Sequence, residues 1–334
     1  MKDVSKPVAE MDEQEYEQWQ RSIPAQVFLN YFYALQQHID ADEEAYNLNK
    51  ITNFRQLSVV PTDGEKESLK RHLLNSWNTE YTIRQTAALG DIDYQQHALY
   101  WTFPQAYYSV EESLRAMLLI HQMSNRAPAR ILSEAGRLVK QKFYPSALSF
   151  YAFGEAHHPS IYGLPNGRWS KPALSLAKDE REVQSQLRQF LRTTHRQRSQ
   201  QVRNRVQRNP QMALRSERSG EVLRRFTREH WQKLAWRTGY TTVFHLLQRL
   251  VVSASNREIE RFVIADIDTK LFHDSLLKVI SYINLVHEAY VAQAVGLETY
   301  ERWLAELPVY LQNGFIAERF YEYISPVIKQ NTAA

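Results

Sequence analysis

Hydrophobic positions along this chain recur mostly with the period of a helix. After Ile23-Pro24, residues Val27, Tyr31, Ala34 and Leu35 fall one turn apart with Phe28 and Phe32 beside them, which predicts a short helix from there. Residues 1–22 are polar and acidic and predict a flexible lead-in. Residues 40–64 are polar and end in the turn signal Pro61-Thr62-Asp63-Gly64. Leu69, Leu73, Trp77, Tyr81 and Ala88 stripe a helix over 65–89, which Gly90-Asp91 stops. Pro104 is expected to open the next helix, with Ala106, Val110, Leu114, Met117 and His121 on its apolar face. Another helix is predicted over 129–143. The stretch 144–175 carries the aromatic run Phe150-Tyr151-Ala152-Phe153-Gly154 and a loop with His157-His158-Pro159, Gly163, Pro165 and Gly167; short strands fit here.

From Asp179 a long helix begins whose two halves differ. Val183, Leu187, Phe190, Leu191 and Thr194 form a core-facing stripe, and beyond His195 the positions that should continue it hold Arg198 and Arg205. The helix is therefore expected to leave the core there and project as a solvated arm until Asn209-Pro210, followed by a loop over 209–220. Leu223, Phe226, His230 and Leu234 predict a helix ending near Gly239, and Thr241 or Thr242 can cap one that packs Phe244, Leu247 and Val251. A short helix around Arg257 to Ile264 precedes the longest apolar stripe, 269–295, through Phe272, Leu276, Val279, Ile283, Val286 and Tyr290, with Gly296 as its stop. Two closing helices fit around Trp303 to Leu311 and Phe315 to Ile324.

These elements predict an all-α, multi-helix bundle with a projecting Arg-rich helix. The length of 334 residues suggests two helical lobes, 23–175 and 176–330, the second carrying a basic arm over 181–230. No fixed-period repeat is present. Cysteine is absent, which excludes disulfides, thiol catalysis and thiolate metal sites, and only 10 glycines disfavour phosphate-cradling loops. No window approaches the 18 or more apolar residues of a membrane span, the run Phe244 to Ala254 being short and interrupted by Arg249. With no secretory pattern at Met1 to Glu17, a cytoplasmic location and no membrane association are expected.

Charge adds the functional signal. Between Arg181 and His230 stand 13 arginines and no lysine against four glutamates (Glu182, Glu217, Glu221, Glu229), a net +9, whereas the whole chain carries +4 and the remainder is therefore −5. Arg188, Arg192, Arg196, Arg198, Arg203, Arg205 and Arg208 suit phosphate, because guanidinium can bind it bidentately, so RNA or another polyanion is the expected partner. An acidic protein partner would read the same charge. Between Leu191 and Arg225 no aromatic residue is interleaved, which argues against a stacking platform for single strands.

Three fragments carry a resemblance. The run Tyr107 to Leu118, the run Thr241 to Leu250 followed by Ser255-Asn256-Arg257, and the run Leu285 to Ala292 resemble segments of bacterial HEPN-type helical domains. The resemblance implies a helical bundle able to form a homodimer, in a superfamily of metal-independent ribonucleases and inactive binding members; a bacterial defence or toxin-type complex would suit it. Active members carry an Arg and a His with four to six residues between them, which pairs a proton-moving imidazole with a cation for the phosphorane. Arg188/His195, Arg225/His230 and Arg115/His121 meet that spacing, and Arg188/His195 is best placed because Arg188, Arg192, His195, Arg196 and Arg203 fall within an arc of roughly 100° beside the apolar stripe of their helix. None has the Asn, Asp or His that follows the family's Arg. His121 and His230 lie on apolar stripes and read first as packed core residues. No cofactor or metal is expected: His157-His158 lacks neighbouring ligands, His287-Glu288 lacks a second His four residues on, and Glu111-Glu112 reads as a solvated edge. Three functions follow: a nucleic-acid- or polyanion-binding protein, a HEPN-like ribonuclease, and a scaffold or regulatory subunit docking an acidic protein.

Overall fold

Charged and polar residues at the right offsets start most of the helices. In the computed structural model, which describes residues 11–123, 128–165, 174–216, 218–255, 259–312 and 314–333, Asp12 accepts the Glu15 amide at 2.8 Å and Glu15 accepts the Asp12 amide at 3.1 Å. This reciprocal cap opens α1 (Glu13–Asp40) ten residues before the expected start. Pro24 sits inside α1 and Pro104 inside α4 (Ile92–Ile120); neither begins its helix, which corrects both expectations. Each proline removes one intrahelical bond and is tolerated because the flanking turns bury apolar residues in the core. The first ten residues of the expected lead-in lie outside the described residues. A short helix α2 (Thr52–Arg55) leads to α3 (Asp63–Ala88), capped by Thr62 and Glu65. Gly90, at φ +72°, turns the chain into α4, whose cap is Asp91.

After α5 (Pro128–Lys140) two short strands form, β1 (Tyr151–Phe153) and β2 (Ser160–Tyr162), antiparallel with Tyr151 opposite Tyr162. Then come α6 (Glu180–Arg208), α7 (Arg228–Thr238), α8 (Val243–Ser255), α9 (Ile259–Val263), α10 (Thr269–Val295) and α11 (Leu297–Ala305). The last expected helix is longer and composite. It comprises α12 (Phe315–Glu318), a π-helical stretch Arg319–Ile324, and α13 (Ser325–Ala333). Gly167 and the start of the expected 257–264 helix fall outside the described residues.

The architecture is all-α and bundle-like. The two expected lobes share one core: α10 packs against α1, α3 and α4, and α3 packs along α4. Buried residues of that core run from Ala25 to Ile328. Large rings fill it, with Phe103 meeting Phe262 and Phe272 edge-on at 5.1 and 5.7 Å between centroids. Burying each such side chain contributes about 1.5–3 kcal/mol.

A buried ionic network crosses this apolar centre. Arg319 donates to both Glu80 carboxylate oxygens, at 2.7 and 2.9 Å, and also to Glu288. Arg84 donates to Glu80 from Nη2 at 2.7 Å, and both guanidiniums reach Ser281 Oγ at 3.0 Å. Asn284 donates to Glu80 at 2.8 Å and to Ser109 at 2.9 Å. Ser113 gives its one hydroxyl proton to Asn284 Oδ1 at 2.7 Å, so His287 donates to Ser113 through Nδ1 and accepts the Tyr144 hydroxyl at Nε2. Burial pushes the Glu80 carboxyl up, but Arg319 and Arg84 outweigh it and hold it below its usual range. Glu288 stays raised, because burial exceeds the attraction of its cationic partner.

Removing one partner strands the others. Arg319→Met leaves two buried carboxylates without their shared cation and is expected to cost about 3–5 kcal/mol in urea unfolding. Combining it with Glu80→Gln and Glu288→Gln should recover much of that loss. Equal stability of Arg319→Met and wild type would show the network to be dispensable.

Candidate polyanion interface

The arginines of α6 divide into those that fasten the fold and those that face outward. Asp179 caps the helix by accepting the Glu182 amide at 2.8 Å, and Val183, Leu187, Phe190 and Leu191 enter the main core. Beyond His195, α6 leaves that core as expected. It is not a bare arm, however, and that expectation is corrected. Val206, with partly buried Val202, joins Ala156, Trp231, Leu234 and Phe226 in a second apolar cluster beneath α7. Gln207 pins the following hairpin, donating to Leu223 O at 2.7 Å and accepting the Leu214 amide at 2.9 Å.

Arg188 is buried and donates to the carbonyls of Leu164 and Pro165, just after β2. Its pKa is lowered by burial and by Arg192. Arg198 donates to Tyr240 O at 2.9 Å, Thr241 Oγ1 at 2.6 Å and Thr238 O at 2.6 Å. It thus closes the C-terminus of α7, where carbonyls lack intrahelical partners and the helix dipole favours a cation. Enclosure pushes it down to about 9. Arg203 donates to Arg224 O and lies 4.9 Å over the Phe226 ring. All three are held by neutral carbonyl oxygens or rings rather than carboxylates, so their charge is not cancelled locally.

Arg196, Arg205, Arg208, Arg224 and Arg225 are exposed and make no ion pair among the described residues, whereas Arg228 pairs with Glu155 at 3.2 Å. Arg205 and Arg208 line an open depression with Asn209, Pro210 and Gln211. Arg192 is half-buried. Glu217, counted in the sequence charge, lies outside the described residues.

The three Arg/His pairs sit in different surroundings. His195 is fully buried: its Nε2 donates to Gly154 O at 3.1 Å, and its Nδ1 accepts the Thr241 hydroxyl at 2.8 Å. Burial pushes it down to about 4. His121 packs edge-on to Phe143 and Tyr290, likewise at about 4 through burial, and Arg115 is taken by Glu111 and Glu112. His230 caps α7, its Nδ1 accepting the Thr227 amide at 3.0 Å, while Arg225 points to solvent. Glu111-Glu112 is a paired rather than a solvated edge, since Glu112 also accepts from His72 at 2.9 Å and Asn75 at 3.3 Å. His157 and His158 are exposed, and no group of three or more metal-ligand side chains occurs among the described residues.

A feature not foreseen from the sequence lies beside α6. β1 pairs on its other edge with Thr241, whose N–H and C=O each bond Ala152 at 2.9 Å. This register places Tyr162, Tyr151, Tyr240, Phe153 and Trp236 in one row with successive ring centroids 5.0, 5.3, 5.1 and 4.9 Å apart. Gly163 permits the bend after β2; at φ +78°, a Cβ there would lie 2.1 Å from Ser149 O. The alternation Tyr151-x-Phe153 was the available local signal.

Buried neutral histidines make the fold acid-sensitive. His195 and His287, pushed down by burial to about 4 and about 3, stay neutral in the fold while the unfolded chain protonates near pH 6.5. Stability is therefore full above pH 6.5 and falls as pH drops toward 4, each histidine contributing up to ~1.4 kcal/mol per pH unit. Thermal unfolding at pH 7.5 and 5.0 should show this, with a shallower drop in His195→Gln; a pH-independent midpoint would contradict it. Comparison with family models, curated proteins and solved structures gave no match for this chain.

Proposed function

We propose that this chain binds nucleic acid or a closely similar polyanion on the face formed by the distal half of α6, residues 209–216 and 218–225, and α7. The observation that carries this reading is the excess of arginine without carboxylate partners. Residues 181–230 carry a net +9, and the fastening residues Arg188, Arg198 and Arg203 direct their donors at carbonyls. Arg205 and Arg208 then remain outward on one side of the helix to meet phosphate oxygens, with exposed Arg196 on its opposite edge. Arg205 and Arg208, one turn apart on a rigid helix, suit a backbone of repeating negative charge, and release of counterions from that backbone supplies the driving force. Chemistry on the bound strand through His195 would require the imidazole to leave both Thr241 and Gly154, so binding rather than cleavage is the reading supported.

The signature is salt dependence. Affinity for a 20-nucleotide RNA should fall steeply between 50 and 200 mM salt. The double variant R205A/R208A should reduce the log–log slope by about 1.4, at ~0.7 for each single-strand phosphate that is no longer neutralised. Recovery of a stoichiometric acidic protein on this face, with no salt-sensitive RNA binding, would overturn the proposal in favour of protein docking.

A further inference from the structure

The row of five rings gives the basic face a second kind of contact. Aromatic side chains are ordinarily sequestered, and a contiguous exposed apolar patch marks an interaction surface. Here Trp236 is 76% exposed and Tyr162 47% exposed, at the two ends of the row, with half-buried Tyr151, Phe153 and Tyr240 between them. Of the five rings only Tyr151 also packs against the main core. On β1 it is Ala152 that turns inward, and on the opposite side Thr241, both fully buried. Tyr151 and Phe153 share the outer face because successive strand side chains alternate. Phe153 stands opposite Tyr240 by the Ala152–Thr241 register.

Cations flank the row. On α7, exposed Lys233 lies one turn before Trp236, and exposed Arg237 follows it, its Nη1 donating to the Met212 thioether at 3.4 Å. Arg198 grips the Tyr240 carbonyl from beneath, where α6 runs under β1.

We infer that this aromatic row is a stacking platform for the bases of a single-stranded nucleic acid whose phosphates lie along Lys233 and Arg237 of α7. This deepens the proposed function and rests on it. The combination selects the ligand class. Planar rings in sequence offer faces to unstacked bases, and adjacent cations follow the backbone that joins them. A duplex keeps its base faces occupied by its own stacking, so it can use the arginines but not the rings. A neutral glycan could use the rings but has no charge for Lys233 and Arg237.

The test compares three probes on the intact chain: a 12-nucleotide single-stranded RNA, the same sequence as a duplex, and heparin. The single strand should bind about tenfold or more tightly than the duplex at equal salt. Trp236→Ala and Tyr162→Ala should each weaken the single strand roughly 5- to 150-fold, the range expected for removing one base stack, with the salt slope and heparin binding unchanged. Trp236→Phe should retain most of the affinity. These positions are exposed, and an unchanged melting temperature confirms that the variants stay folded. If both variants bind single strands like wild type, or duplex and heparin compete equally, the platform is overturned while the polyanion reading stands. If no nucleic acid binds with salt sensitivity, both fall; capture of a neutral oligosaccharide on the row overturns the platform in favour of a glycan.

Discussion

Two carboxylates share one guanidinium in the middle of an apolar bundle, and the remaining architecture is arranged around keeping all three satisfied. Glu80 belongs to α3, Glu288 to α10, and Arg319 to the start of the π-helical stretch near the C-terminus. Each would be costly to bury alone, so the three segments must assemble together. A π-helical stretch is a locally unfavourable backbone form, and here it coincides with the segment that delivers Arg319 inward. The network also reaches outward, as Asn284 ties it to α4, and His287 ties it to Tyr144. Ser149 then donates back to Tyr144 O at 2.7 Å, and its own carbonyl leaves room only for glycine at 163. An uninterrupted series of packed contacts thus runs from the ionic centre to the β hairpin that presents the rings.

Arginine plays opposite parts within one helix. Arg188 and Arg198 turn into the fold and hold the ends of β2 and α7, and Arg205 and Arg208 turn away. Using carbonyls as partners has an electrostatic result that carboxylates would not give: the fold is fastened without neutralising positive charge. The field outside the molecule is the sum of both sets.

Much of the fold was legible because its signals were local. The stripes of α3 and α10, the cap at Asp179 and the stop at Gly296 each depend on residues within a few turns. The prolines misled because a missing amide matters only if the tertiary surroundings fail to compensate, and those surroundings are distant in sequence. Likewise, Arg198 reads as solvent-facing in isolation. Its acceptors lie 40 to 43 positions away at a helix end. The ring row draws on 151–153, 162, 236 and 240, so no window confined to the arginine segment contains it.

Thr241 occupies the junction of these parts. Its backbone pairs with β1, and its hydroxyl meets both His195 and Arg198 of α6. Rings and cations therefore hang from a common rivet, and neither can slide past the other. The distance between them is preset before any ligand arrives, so the protein acts as a gauge: an occupant must match a spacing built into the scaffold, and little ordering remains to be done on the protein side when it does.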